Sequence, residues 1–430
     1  MKILVVGSGG REHAIAWKCA QSMEVDEVIV APGNAGTHLE KKLRNINIPD
    51  DDIEAQVKLA KQEKIDLTIV GPEIPLTKGI VDRFERENLH CFGPNAKAAQ
   101  LEGSKAFTKQ FLARHKIPTA DYKIFTEVNP ALEYVSEKGA PIVIKADGLA
   151  GGKGVIVALT IDQAHQAIRD VLENNSFGDA GSMIVIEEFL EGEEASFIVI
   201  TDGKTVLPLA TSQDHKTRDN GDKGPNTGGM GAYSPAPIVT RELNKQIMHK
   251  IIYPTLRGLA EDDILYRGFL YAGVMVDKKG EAKVLEYNCR FGDPETQPIM
   301  VRLKSDLVKL CQATLEGSLD KQNVEWDSRV SLGVVMASGG YPEDYETGHV
   351  ISGINDINNQ NCKVFHAGTK IDSEKIITSG GRVLCVVGMG NTTIEAKTAS
   401  YEAVSQISWK DEFHRNDIGY RAIKNHEKHD

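Results

Sequence analysis

Residues 283–297 read KVLEYNCRFGDPETQ, and this stretch decides the fold that we expect for the whole chain. An apolar run, Phe269–Val276, precedes it across the turn Asp277–Gly280, which is the pattern of a β-hairpin. Side chains two positions apart on a strand share a face, so Glu286 and Asn288 should project together. The sequence therefore predicts a carboxylate and an amide oxygen side by side.

Such a pair suits Mg²⁺ or Mn²⁺, which take oxygen ligands and usually keep phosphate oxygens and water as well. Arg290 falls on the same face if the strand continues, and its planar fork matches a carboxylate or a phosphate. For Glu286 and Asn288 alone, a solvated edge strand is the alternative interpretation. Residues 290–297 favour a functional site, because no folding requirement asks for a cation, a turn and two acids in so short a segment.

Composition and charge describe a globular protein of several domains. The chain has 430 residues, of which 41% are hydrophobic and 26% charged, and this length predicts two to four domains. A net charge of −11 argues against nucleic acid or an anionic membrane as a partner. The 6 cysteines lie far apart, which excludes the common zinc spacings and fits a reducing compartment. No apolar run approaches membrane-spanning length, so we expect a cytoplasmic protein; its oligomeric state stays open, with a monomer as the working expectation.

The first hundred residues alternate strand and helix patterns, which predicts an open parallel sheet with helices on both faces. The turn at residues 7–13, GSGGREH, occupies the position where a dinucleotide fold binds pyrophosphate. Glu12 stands where that motif has its third glycine, so NAD is the weaker interpretation. A small phosphate at the helix N-terminus and a purely structural turn both stay open. Residues 71–76 follow the third strand at the edge that lines the ligand crevice of such sheets.

A second pattern begins near residue 104. Ser104 can cap a helix that carries Lys105. Lys145 ends a strand and opens the glycine-rich loop 148–154, which a further strand follows. A loop of this kind between antiparallel strands can fold over a triphosphate, with backbone N–H groups and lysines nearby. It is not a Walker A motif, because no Ser or Thr follows Lys153 to open a helix.

Two further segments are candidates for ligand contact. The acidic segment 187–194 follows an apolar strand and would serve to read adenine and ribose, with a solvated acidic turn as the alternative. Asp214, Lys216 and Arg218 together suit a small zwitterion or phosphates, and they open a long polar loop predicted over residues 219–234. His215 is interpreted as structural.

After Gln297 the pattern is helical as far as Leu315. From about residue 327 the pattern becomes strand-rich again and predicts a small α+β domain. We therefore expect three domains, at residues 1–103, 104–326 and 327–430, with a mobile lid near residues 122–190.

Lys105, Lys145 with its glycine-rich loop, the acidic segment and the Glu286-x-Asn288 pair occur in the order of the ATP-grasp enzymes. GSGGREHA at residues 7–14 and RFGDPETQ at residues 290–297 make the chain similar to the phosphoribosylamine–glycine ligase family over essentially its whole length. The resemblance implies an N-terminal α/β substrate-binding domain, a central two-lobed ATP-grasp fold and a small C-terminal α+β domain. It also implies ATP with Mg²⁺ or Mn²⁺ as cofactors. The reaction it implies joins glycine to 5-phosphoribosylamine through glycyl phosphate and gives glycinamide ribonucleotide, ADP and phosphate in purine biosynthesis.

The resemblance also implies roles for individual residues. Catalytic roles fall to Arg290, Asp214 and Lys145. Contacts to ATP are implied for Lys105, Lys145, Gly148, Gly151, Gly152, Lys153, Gly154, Glu187, Glu188, Leu190 and Glu194, with Glu193 as the alternative to Glu194 at the ribose. Glu286 and Asn288 are the implied metal ligands. Substrate contacts are implied for Gly9, Gly10, Arg11, Glu12, His13, Glu73, Asp214, Arg290, Asp293 and Glu295.

Two other functions remain open at this point, and a third is disfavoured. A different ATP-grasp ligase or carboxylase would activate another carboxylate, such as bicarbonate. A nicotinamide-dependent dehydrogenase is suggested by the loop at residues 7–13 alone. A non-catalytic nucleotide-binding regulator would not need Glu286, Asn288 and Arg290 together.

Overall fold

The computed structural model describes residues 1–149, 154–174, 178–357 and 359–427. The N-terminal region contains strands β1 Lys2–Gly7, β2 Glu27–Pro32, β3 Leu43–Asn45, β4 Leu67–Val70 and β5 Cys91–Phe92. Its helices are α1 Gly10–Ala20, α2 Ala35–Leu39, α3 Ile53–Glu63, α4 Glu73–Thr77 and α5 Ile80–Glu85.

The five strands form one parallel sheet in the order β3-β2-β1-β4-β5. Alternate residues of β1 feed two cores: Ile3 and Val5 pack with α1, whereas Leu4 and Val6 pack with α3 and α5. This alternation is why β1 is apolar throughout, since a parallel strand is covered on both faces. The open parallel sheet predicted for the N-terminal region is confirmed.

The central region adds a longer series of elements. Its strands are β6 Tyr122–Phe125, β7 Ile142–Ala146, β8 Val155–Ala158, β9 Ile184–Glu188, β10 Glu193–Thr201, β11 Val206–Pro208, β12 Gln213–Asp214, β13 Thr217–Asp219, β14 Lys223–Asn226, β15 Gly231–Ser234, β16 Gly268–Val276 and β17 Ala282–Asn288. Its helices are α6 Gln100–Gly103, α7 Lys105–Arg114, α8 Val128–Lys138, α9 Ile161–Leu172, α10 Arg241–Ile247, α11 Tyr253–Glu261, α12 Thr296–Arg302 and α13 Leu307–Glu316.

Eight of these strands form two antiparallel lobes. One lobe has the order β6-β9-β7-β8 and is covered by α8 and α9. The other has the order β11-β10-β16-β17, and α10 and α11 pack against it. The hairpin predicted around residues 277–280 is β16-β17, whose register shifts between Gly273 and Val274. We call the first lobe the lid sheet and the second the hairpin sheet.

The C-terminal region contains strands β18 Val330–Ala337, β19 Cys362–His366, β20 Thr369–Asp372, β21 Lys375–Thr378 and β22 Arg382–Gly390, with helices α14 Thr393–Val404 and α15 Tyr420–Glu427. Its main sheet has the order β12-β15-β18-β22-β19. Phe365 and Val387 share a core with Ile3 and Val5, so this region packs beside the N-terminal sheet.

Two local expectations differ from the structure. Residues 219–234 are not one polar loop, because β13 and β14 pair as a hairpin and β15 lies between β12 and β18. Tyr233 on β15 is fully buried there against residues about a hundred positions further on, which no local pattern indicates. The helix predicted from residue 297 to residue 315 is interrupted between α12 and α13, where the Asp306 carboxylate accepts from the Val308 N–H and caps α13.

In the described part of the chain, no helix is long and apolar enough to span a membrane.

Candidate active site

A cleft of about 510 Å³ receives side chains from the lid sheet, the hairpin sheet and both terminal regions. Glu286 and Asn288 on β17 both line it, and Tyr287 between them is buried in the core of the hairpin sheet. The strand alternation that the sequence predicted therefore brings the carboxylate and the amide into one site. Arg290 lines the same cleft just beyond the end of β17.

Lys216 lies between two carboxylates of this cleft. Its Nζ is 2.8 Å from Glu194 Oε1 and 3.4 Å from Glu286 Oε1. The Lys216 ammonium lowers the pKa of Glu286 to about 2; burial opposes this shift, and Lys145 and Lys105 add to it. Glu286 is therefore ionised at physiological pH and available as an anionic oxygen ligand.

The donors at Glu286 and Asn288 fit a hard cation. Among the described residues, no group of three or more His, Cys, Asp or Glu side chains could enclose a metal ion by itself. A pair of oxygen donors suits Mg²⁺ or Mn²⁺, because these ions complete their coordination with substrate phosphates and water.

Lysines line the cleft on its lid side. Ser104 caps α7, where its Oγ accepts from the Phe107 N–H at 3.0 Å, and this places Lys105 at the first position of the helix. The Lys105 Nζ donates to the Gly148 carbonyl at 3.0 Å. The Lys145 Nζ is 2.9 Å from Glu187 Oε1 and donates to the Leu285 carbonyl at 3.2 Å, which ties the lid sheet to the hairpin sheet.

Lys109 is a site residue that the sequence reasoning missed. Its side chain lines the cleft, the residue is 2% exposed, and its Nζ lies 2.9 Å from Glu187 Oε2. The same Nζ donates to Thr119 Oγ1 at 2.7 Å. Burial lowers the pKa of Lys109 to about 8, and the Glu187 carboxylate offsets part of that shift. Lys109 follows Lys105 by one helical turn, and this i,i+4 spacing is the signal that could have found it.

The acidic segment lies where the two lobes meet. Glu187, Glu188 and Leu190 line the cleft at the end of β9. On β10, Glu194 lines it and its neighbour Glu193 does not. Burial raises the pKa of Glu194, and Lys216 opposes that shift.

Only part of the glycine-rich loop belongs to the described residues. The Gly154 carbonyl accepts from the Ala146 N–H at 2.8 Å and closes the base of the β7-β8 hairpin. A Cβ on Gly148 would lie 2.8 Å from the Ala180 Cβ, so the loop leaves β7 in close contact with its neighbour. Gly151, Gly152 and Lys153 lie outside the described residues.

Arg290 sits between two acids at the other end of the cleft. Its Nη2 is 2.6 Å from Glu102 Oε1, and its Nε is 3.2 Å from Glu73 Oε2. Arg11 lies alongside, with its Nη1 3.9 Å from Glu73 Oε2. Burial raises the pKa of Glu102 to about 7 against the pull of Arg290. Burial also acts to raise the pKa of Glu73, but Arg290 and Arg11 outweigh burial and lower this pKa to about 2. Glu102 is a second residue that sequence reasoning missed.

Asp214, Asp293 and Glu295 also line the cleft. Burial raises the pKa of Asp214 to about 6; Lys216 opposes this shift, and the Glu295 and Glu286 carboxylates add to it. The Ser196 hydroxyl donates to Glu295 Oε1 at 3.0 Å.

Arg382, from the C-terminal region, also lines the cleft. Its Nη2 lies 3.1 Å from Asp293 Oδ2. It is a third missed residue. The sequence analysis grouped Arg218 with Asp214. In the structure its Nε instead lies 2.8 Å from Asp219 Oδ1, and both side chains of this pair are partly exposed.

The loop at residues 7–13 reaches the cleft through Arg11 alone among its described side chains. Glu12 Oε2 accepts from the Gly9 N–H at 2.6 Å and its Oε1 lies 2.6 Å from Arg11 Nε, so the carboxylate holds the loop together. His13 Nδ1 accepts from the His366 N–H at 2.9 Å and joins the two terminal regions. A Cβ on Gly10 would lie 2.5 Å from Gln297 Nε2, which shows how closely the loop packs on residues 290–297.

Comparison with known proteins gives consistent matches over the chain. The N domain, the ATP-grasp (A) domain and the C domain of phosphoribosylglycinamide synthetase match residues 1–102, 103–296 and 331–421. A phosphoribosylamine–glycine ligase of Escherichia coli O6:H1 is 64% identical over 425 residues, which cover 99% of each chain. The ligase of Vibrio parahaemolyticus is 61% identical over 423 residues, 98% of this chain and 99% of its own.

Solved structures agree with these matches. The crystal structure of the phosphoribosylamine–glycine ligase of Thermotoga maritima has a TM-score of 0.83 and 31% identity, and covers 97% of this chain and 100% of its own. A biotin carboxylase of Campylobacter jejuni in complex with β,γ-ATP has a TM-score of 0.74 at 16% identity, covering 96% and 92% of the two chains. At that identity the second likeness concerns the fold alone.

Proposed function

Because the chain belongs to the phosphoribosylamine–glycine ligase family and is an ATP-using, ADP-forming ligase that makes glycinamide ribonucleotide for purine biosynthesis, we propose that both chemical steps take place in the single cleft described above. The observation that carries this proposal is the division of the cleft. Lys145 pairs with Glu187 in one group of contacts, which we call the lysine end, and Arg290 pairs with Glu102 and Glu73 in another, which we call the acidic and arginine end.

The lysine end suits the nucleotide. Lys105 and Lys145 would contact the phosphates of ATP, and the loop at residues 148–154 would cover them. The backbone of Glu188 and Leu190 would face adenine, and Glu194 is better placed than Glu193 for the ribose, because it alone of the two lines the cleft. Glu187 serves this end indirectly, since it fixes Lys145 at 2.9 Å.

Glu286 and Asn288 would hold Mg²⁺ or Mn²⁺, which would neutralise charge on the transferring phosphoryl group. Lys216 now contacts Glu286 at 3.4 Å and would give up that contact when the cation is held. Ionisation of Glu286 supports this assignment, because its pKa is about 2.

The acidic and arginine end suits the other substrates. Glycine is a zwitterion, so its ammonium would lie against Asp214 and its carboxylate against Arg290. The ribosylamine would be held by Glu73, Asp293, Glu295 and Arg11, with Gly9 and Gly10 bringing the first loop against residues 290–297. Glu12 and His13 would act by supporting that loop, because their side chains already contact other protein atoms.

The reaction then follows from positioning and electrostatics. An oxygen of the glycine carboxylate attacks the γ-phosphorus, the bond to ADP breaks, and glycyl phosphate forms. The amino group of 5-phosphoribosylamine attacks the activated carbonyl carbon and loses one proton. Phosphate leaves with one oxygen that came from glycine. Lys105 and Lys145 stabilise the developing charge, and closure of the lid sheet excludes water that would hydrolyse the acyl phosphate.

Domains at residues 1–103, 104–326 and 327–430, with a mobile lid near residues 122–190, are part of this proposal. So are a cytoplasmic location and a monomeric state. Two short strands of the central region, β12 and β15, join the C-terminal sheet, so we expect the last two domains to unfold together.

The experiment that tests the proposed substrates measures ADP release. We expect release with glycine plus 5-phosphoribosylamine and at least a hundredfold less with bicarbonate in place of glycine. Bicarbonate is the control because a biotin carboxylase shares the fold. Equal release with bicarbonate, or release that does not depend on glycine, contradicts the proposal.

A further inference from the structure

Residues 214–217 present alternate side chains to two different surroundings. Asp214 and Lys216 line the cleft, whereas His215 is fully buried and faces the C-terminal residues. Thr217 faces them as well, because its side chain and its carbonyl both contact Arg415. This is the period-2 alternation of extended chain, so whatever holds residues 215 and 217 also aims residues 214 and 216.

The holding contacts come from residues 415–421, which we call the C-terminal clasp. Arg415 is 1% exposed, and its Nη1 donates to the Thr217 carbonyl at 3.1 Å and to Thr217 Oγ1 at 3.0 Å. The Gly419 N–H donates to His215 Nε2 at 3.1 Å, so the ring proton of His215 is on Nδ1. Each of the two residues that face away from the cleft is therefore bonded by the clasp.

Asp222 closes the same segment. Its Oδ1 accepts from Arg415 Nη2 at 3.0 Å, and its Oδ2 accepts from Arg421 Nη2 at 2.6 Å and from the Tyr420 hydroxyl. His215 Nδ1 lies 3.7 Å from Asp222 Oδ1. Asp417 pairs with Arg415 at 2.8 Å and accepts from the Gly221 N–H at 2.8 Å. Two acids and two arginines thus balance in charge, and this compensates the burial of Arg415, which is the fully buried member of the four.

Backbone bonds hold the first part of the segment, since the His215 N–H donates to the Gly231 carbonyl at 2.9 Å and the Thr227 N–H donates to the Lys216 carbonyl at 2.7 Å. The part beyond Lys216 has little support of its own. Strand β12 has only two residues, and β13 pairs only with β14 in a two-stranded ribbon. An isolated two-stranded ribbon is marginal in water, so tertiary contacts must fix it.

We propose that the C-terminal clasp is a positioning element of the active site, which holds residues 215–222 so that Asp214 and Lys216 face the substrate. The inference rests on the proposed function insofar as Asp214 receives the glycine ammonium. No clasp residue lines the cleft, so the clasp acts through the segment that it binds, and the Arg421 guanidinium also favours the ionised form of Asp214 by lowering its pKa. Residues more than two hundred positions beyond Asp214 therefore take part in binding glycine.

Asp222→Asn tests this with little change of shape. We expect the KM for glycine to rise at least fivefold, since the amide no longer pairs with Arg415 and Arg421. In an Asp214→Asn background, the same substitution should change that KM less than twofold, because its route to glycine is already lost. A merely structural role would instead give the same fold-change in both backgrounds.

Asp219→Asn is the matched control. Asp219 lies in the same segment, but it pairs with Arg218 rather than with the clasp. The KM of the Asp219→Asn variant for glycine should therefore stay within twofold of the parent value. Urea unfolding of each variant shows whether it is folded. If Asp222→Asn fails to fold, Tyr420→Phe removes one hydrogen bond to Asp222 and should raise the KM about twofold.

The outcomes separate the two proposals. The positioning role is overturned if the KM for glycine is unchanged in folded Asp222→Asn or in Tyr420→Phe. It is also overturned if Asp222→Asn changes the KM equally in both backgrounds. In either case the proposed function stands as long as Asp214→Asn raises the KM for glycine. If the single variant Asp214→Asn leaves the KM for glycine unchanged, Asp214 does not have its role in the proposed function, and the clasp inference is overturned with it.

Discussion

The two ends of the cleft are built in different ways. The phosphate end, with Lys105, Lys145, Glu286 and Asn288, comes from the central region alone, and each of its residues lies on or beside a regular element. The substrate end combines Arg11, Glu73 and Glu102 with Arg290 and with Arg382 from the C-terminal region. Lysines pair with carboxylates at the first end, whereas arginines pair with carboxylates at the second. In the proposed assignment, the ATP phosphates and the metal therefore meet residues of one region, whereas glycine and the ribosylamine meet residues brought together from all three.

The largest effect is expected at the phosphate end. Glu286→Gln keeps the shape of the side chain and removes the anionic ligand, so turnover should fall at least about a hundredfold, roughly 3 kcal/mol of transition-state stabilisation. Steady-state kinetics at limiting Mg²⁺ measure this. Glu281→Gln on the same hairpin, where the carboxylate is exposed and 3.8 Å from Lys250, should keep normal turnover. Near-normal turnover of Glu286→Gln would remove the metal assignment.

At the substrate end, Arg290→Lys keeps the charge and loses the planar fork. The contacts to Glu73 and Glu102 cannot both be kept, so kcat/KM for glycine should fall about thirtyfold, near 2 kcal/mol, with the KM for ATP little changed. Arg329→Lys, at a surface pair with Asp327, is the control. If the KM for ATP rose as much as that for glycine, the two ends would not be separable.

The pH dependence should differ between the ends. The raised pKa of Asp214, about 6, means that its carboxylate is protonated below that pH, and the contact to the glycine ammonium is then lost. Therefore kcat/KM for glycine should fall about tenfold for each pH unit below 6. Asp214→Asn should lack this limb, and Glu102→Gln should keep it. A limb that persists in Asp214→Asn belongs to another group. Glu286, with a pKa of about 2, adds no limb in this range.

How much of the fold could be predicted depends on how local its signals are. The β16-β17 hairpin was predicted because its apolar run, turn and polar alternation lie within about twenty residues. Strand β15 was missed because it lies between β12 and β18 in the sheet, and β18 comes about a hundred residues later in the chain. The break before α13 was missed because the Asp306 cap is one residue within an otherwise helical pattern.

The candidate site divides in the same way. The residues of its phosphate end could be identified as candidates, since strand alternation puts Glu286 and Asn288 on one face and Lys145 opens the glycine-rich loop. Glu102 and Arg382 could not be predicted, because their meaning comes from Arg290 and Asp293, which are 188 and 89 positions away. Lys109 stands between these cases: its spacing from Lys105 is visible, but a lysine on a helix normally faces water.

The central claim is that glycine is phosphorylated directly within this cleft, and isotope transfer tests it most directly. Glycine carrying ¹⁸O in its carboxylate is converted with ATP and 5-phosphoribosylamine, and the inorganic phosphate is analysed by mass spectrometry. Direct phosphorylation predicts one labelled oxygen in the phosphate for each turnover, and little ADP when glycine is left out. Label in AMP with unlabelled phosphate, or label in neither product, would contradict the account.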